Sequence, residues 1–74
     1  MPKLPAISGS DAVTAFGRAG WTLARQRGSH MILIRPGSLA SLSIPDHKEL
    51  AKGTLRALIR AADLTLDVFL TLLD

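Results

Sequence analysis

The sequence predicts an α+β domain: a three-stranded antiparallel sheet, helices on one face and a short C-terminal helix. Three observations carry this. Apolar residues recur at helical spacing near the start and again in the second half of the chain. Between those stretches lie three short runs of strand character. Gly28-Ser29 and Pro36-Gly37-Ser38, both turn signals, separate the runs. With 74 residues the chain (1–74) has room for a single domain with a small core.

Ser8 and Asp11 stand three apart, as in a capping box, and start a helix over about Gly9–Ala19. Ala12, Val13, Phe16 and Ala19 form its inner stripe, and Gly20 suits the left-handed position that ends it. Trp21 to Arg27 reads as the first strand and His30 to Arg35 as the second; Leu39 to Pro45 contains the third. Leu55, Leu58, Ile59 and Ala62 make the apolar face of a second helix that starts near Gly53 or Thr54. Thr65 caps a third, short helix packed through Leu66, Phe69, Leu70 and Leu73, with Leu64 and Phe69 placed as a hydrophobic staple.

Gly28-Ser29 fits a two-residue hairpin loop in which glycine takes the positive φ of a type II′ turn. Arg27 and His30 then oppose each other on one side of the hairpin. Pairing outward from the turns gives Arg25 with Ile32, Leu23 with Ile34, Ile34 with Leu42, Ile32 with Ile44 and His30 with Asp46. This register predicts a core face of Leu23, Ile32, Ile34, Leu42 and Ile44, with Arg25 as a misfit. Ala24, Met31 and Leu33 fall on the other side, a strip available to a partner. It also brings His30 beside Pro45-Asp46-His47.

Nine Lys and Arg against six Asp and Glu give a net charge of +3, which favours an anionic partner. The hydrophobic fraction of 47% leaves apolar residues for a protein contact beyond the core. Cysteine is absent, so disulfides and thiolate metal sites are excluded, in keeping with a cytoplasmic protein. No run reaches the roughly 20 apolar residues of a membrane span, and Met1–Ser8, broken by Pro2 and Pro5, does not read as a signal peptide. Two histidines among scattered acids have no metal-ligand spacing. Ser29 next to His30 is no nucleophile pair, because adjacent strand residues point to opposite faces.

A cation and an imidazole at one strand end suit chemistry on an anion; the alternative is a solvated hairpin tip. Lys48, Lys52, Arg56 and Arg60 follow the loop that passes this end. They read either as a track for a nucleic-acid backbone or as a solvated helix face. Trp21 is a candidate for stacking on a base or, beside Leu23, for the core.

Arg27-Gly28-Ser29-His30, Ile44-Pro45-Asp46-His47 and Lys52-Gly53-Thr54-Leu55-Arg56, with Ser8-Gly9 ahead of them and the segment around Phe69 behind, resemble the HicA family of toxins. The resemblance implies an α-β-β-β-α fold like a double-stranded-RNA-binding domain. It implies an mRNA interferase, an endoribonuclease of a type II toxin-antitoxin system, neutralised by a HicB-type antitoxin. The family's catalytic histidine maps onto His30. On this reading His30 is the general acid or base, without metal or cofactor. His47 is a candidate second proton carrier and Asp46 a candidate orienting group, each with a plain turn role as its alternative. Arg27, Lys48, Lys52 and Arg56 are candidates for holding RNA phosphates, and Gly28 and Ser29 form the turn. The expected partners are mRNA and the antitoxin, with the free toxin a monomer. A non-catalytic RNA-binding or protein-interaction module is the competing reading.

Overall fold

The computed structural model describes residues 3–73; Met1, Pro2 and Asp74 lie outside the described residues. The element order is α1 (Gly9–Arg18), β1 (Thr22–Arg27), β2 (His30–Ile34), β3 (Leu42–Pro45), α2 (Lys52–Ala61) and α3 (Leu66–Thr71). The strands form one antiparallel sheet in the order β1-β2-β3. The helices cover one face of it, as the sequence predicts.

Local chemistry sets the helix starts. The Ser8 hydroxyl accepts from the Asp11 amide at 3.0 Å, and the Asp11 carboxylate accepts from the Ser8 amide at 3.3 Å, a reciprocal capping box. The Thr65 hydroxyl accepts from the Val68 amide at the start of α3. Helix α2 has no side-chain cap and begins at Lys52, a residue or two earlier than its pattern suggests.

The core gathers Phe16 and Ala12 of α1, Met31 and Leu33 of β2, Leu42 and Ile44 of β3, Leu55 and Ile59 of α2, and Phe69 of α3. Phe16 and Phe69 meet with ring centroids 5.0 Å apart, tilted at 45°. Trp21 is buried, so its ring belongs to the core and is closed to a base. The Arg35 guanidinium lies 5.0 Å from its ring centroid. Val13, assigned to the inner stripe, is only half-buried, and Ala15 takes a core position.

The β2–β3 register corrects the sequence reading by one residue. Met31 pairs with Ile44, Leu33 with Leu42, Ile32 with Ser43 and His30 with Pro45. A shift of one turns the strand over. Met31 and Leu33 therefore face the helices, and the strip expected to be free for a partner is core. Ile34 and Leu23, expected in the core, are 49% and 48% exposed. Between β1 and β2, Arg27 opposes His30 and Arg25 opposes Ile32 as predicted. A bulge between Leu23 and Arg25 then moves Leu23 from Ile34 to Leu33. Arg25 ceases to be a misfit, because its side of the sheet is open.

The start of α1 is pressed against the end of β3. The Gly9 amide donates to the His47 carbonyl at 2.9 Å, and the Leu50 amide donates to the Ile7 carbonyl at 2.8 Å. A Cβ on Gly9 would overlap the Pro45 carbonyl oxygen and lie 3.1 Å from Met31 Cε. Gly9→Ala should therefore cost about 3 kcal/mol in a denaturant titration. Gly17, in α1 with open space where its Cβ would lie, should gain about 0.5–1 kcal/mol on substitution by alanine. Phe69→Ala, which empties the centre of the core, should cost about 4 kcal/mol in the same assay.

Candidate functional site

The hairpin end is the part of the molecule where titratable and cationic groups converge on the sheet. Gly28 has φ +59° and Ser29 has no positive φ, the pattern of a type II′ turn. Gln26 Nε2 donates to the Gly28 carbonyl at 3.1 Å and braces the loop. The turn holds Arg27 opposite His30. On the other flank of β2, His30 opposes Pro45. The ladder runs one bond further, from the Asp46 amide to the Ser29 carbonyl at 2.7 Å.

Alternation along β2 decides where the imidazole goes. Met31 and Leu33 enter the core, so His30, Ile32 and Ile34 emerge on the face without helices. His30 and Arg27 are exposed. Among the described residues neither histidine ring makes a hydrogen bond, and the Asp46 carboxylate accepts none. The imidazole and guanidinium are thus presented to solvent side by side.

Asp46 and His47 lie in the segment leaving β3, both exposed. Their backbones are fixed, through Ser29 and through Gly9 respectively. Lys48 follows in the same segment, also exposed. Arg27, His30 and the Asp46–Lys48 segment are therefore brought to one rim.

Lys52 and Arg56 belong elsewhere. They lie on α2 and, with Lys3 and Arg60, line a groove of about 800 Å³ in the helical layer, bounded also by the start of α3. Lys3 gave no signal in the sequence, because a lone lysine in an irregular N-terminal segment has no period to place it.

Among the described residues no three His, Asp or Glu side chains gather as a metal site requires. No helix among them is long and apolar enough to cross a membrane.

No curated protein matches the sequence at a significant level. The family model "HicA toxin of bacterial toxin-antitoxin" matches residues 9–64. That span runs from the first residue of α1 past the end of α2 and takes in the whole sheet and its rim. The chain belongs to the HicA family, the toxin half of bacterial toxin-antitoxin pairs.

Proposed function

We propose that this toxin is a metal-independent endoribonuclease that cleaves mRNA in the cytoplasm, with His30 as its proton-transfer group. The observation that carries the reading is the exposed Arg27–His30 pair on the helix-free face of the sheet. RNA brings its own nucleophile, the ribose 2′-OH. A base removes that proton, the 2′ oxygen attacks phosphorus, the P–O5′ bond breaks and the leaving 5′ oxygen takes up a proton. Histidine can serve in either transfer near neutral pH. Arg27, directly across from it, would stabilise charge on the equatorial phosphate oxygens.

His47 is the candidate for the second transfer. The Gly9 amide anchors the His47 backbone just past the end of β3, and the His47 side chain is exposed. Asp46 would orient a histidine by accepting an N–H bond once substrate is bound. Lys48 offers charge to a flanking phosphate, whereas Lys52 and Arg56, expected beside it, line the separate groove on α2. A HicB-type antitoxin would neutralise the toxin by covering the open face around His30. Ile34 supplies apolar contact area there, and the free toxin would be a monomer.

Cleavage of an RNA transcript in excess EDTA tests the chemistry. Wild-type protein should cut, His30→Ala should lose about 10²–10⁴-fold in rate, and Arg27→Ala about 10²-fold. Equal cutting by wild type and His30→Ala would remove the imidazole from the mechanism. Expression without antitoxin should arrest growth for the wild type and not for His30→Ala. A salt-sensitive RNA complex with neither cleavage nor arrest would establish the non-catalytic module instead.

A further inference from the structure

The groove between the N-terminal segment, α2 and the start of α3 is far more developed than a solvated helix face requires. Lys52, Arg56 and Arg60 stand four apart on α2 and form a row ~12 Å long. Lys3 adds a fourth cation from the N-terminal segment, against the single carboxylate of Asp63. The groove is also apolar: Leu4, Leu64 and Leu66, all half-buried, join Ile59 in its lining. Its volume of about 800 Å³ suits a few side chains of a docked segment.

We infer that this groove docks a short acidic segment of a protein partner, carboxylates against the cation row and apolar side chains on the leucines. Charge complementarity gives the sign of the ligand. The leucine lining separates a peptide from a nucleic acid. Single-stranded RNA is held by stacking its bases on aromatic rings. No aromatic residue lines the groove, and Phe16, Trp21 and Phe69 are all buried in the core. A helix-in-groove or extended peptide ligand uses apolar anchors flanked by charge, which is what the walls offer.

Lys3, Leu4, Thr65 and Leu66 lie outside the residues 9–64 that match the family. The groove is thus completed by parts of this chain that the family pattern does not describe. It is assigned without reference to RNA cleavage and stands or falls separately from the role of His30.

The test uses the full chain carrying His30→Ala and a fluorescein-labelled peptide of about 12 residues in which glutamates flank leucines at helical spacing. Saturable binding is expected, weakened about tenfold by Lys3→Glu with Arg60→Glu. It should be unchanged by Arg27→Ala and lost when serines replace the peptide's leucines. Thermal unfolding checks that the doubly substituted chain is folded, and Arg60→Gln alone, expected to weaken binding by a smaller factor, serves if it is not. Absence of saturable binding, indifference to both charge changes, or equal binding of the serine peptide overturns the inference. So does an oligouridylate of similar length that displaces the peptide and shows the same charge dependence, since the groove would then be an RNA track. In protein with His30 intact, Lys3→Glu with Arg60→Glu should leave RNA cleavage unchanged, which keeps a failure here apart from a failure of the nuclease reading.

Discussion

The two-residue period of β2 ties the core to the candidate site. Met31 and Leu33 are buried against Ile44 and Leu42, and burying each large aliphatic side chain contributes roughly 1.5–3 kcal/mol. The same alternation sends His30 out through the opposite face. A slip of one residue would bury His30 and expose both apolar side chains. The core thus fixes the direction of the imidazole, with no hydrogen bond to its ring among the described residues. A small domain has few polar residues to spend on positioning, and here strand geometry does it.

Backbone bonds hold the rest of the rim. The Asp46 amide is tied to Ser29, the Gly9 amide to His47 and the Leu50 amide to Ile7. These contacts seat the segment after β3 and the start of α1 against the end of the sheet. They also explain why glycine stands at position 9, where the Pro45 carbonyl leaves no room for a Cβ. Because main-chain groups make the scaffold, the side chains of Arg27, His30, Asp46 and His47 remain free for a ligand. The pairing of Arg27 with His30 needs only the Gly28-Ser29 turn and the first rung of the hairpin.

The helices and the hairpin were legible in the sequence because their signals are local: Ser8 with Asp11, Thr65, Gly20, the α2 stripe and the Gly28-Ser29 turn. The β2–β3 register was not. Met31-Ile32-Leu33-Ile34 is apolar on both faces, so hydrophobicity does not choose between them, and the Pro36–Ser41 connection is too long to count pairs through. The bulge near Ala24 is equally silent in the sequence, since a one-residue insertion in a strand leaves no compositional mark. The position of the site does not depend on the register. His30 begins its strand and Pro45 ends its neighbour in either register, so the two segments meet at the same end of the sheet. The close approach at Gly9 and the groove completed by Lys3 are tertiary features with no periodic trace.

Burial of Phe16, Trp21 and Phe69 has a consequence for any RNA this toxin handles. The chain contains no tyrosine and no other Phe or Trp, so stacking on a base would fall to the exposed imidazoles of His30 and His47 or to an arginine plane. Contact with RNA would then fall to phosphate-directed cations and to polar groups at the rim. Such contacts position a backbone but read little sequence. Arg27 stands opposite His30 and Lys48 lies exposed in the segment after β3, while the larger cation row lies in the helical layer beside an apolar lining. A net charge of only +3, divided between two surfaces, gives weak general attraction to polyanions. Discrimination would have to arise at the scissile phosphate itself, where the hairpin end sets a guanidinium beside an imidazole.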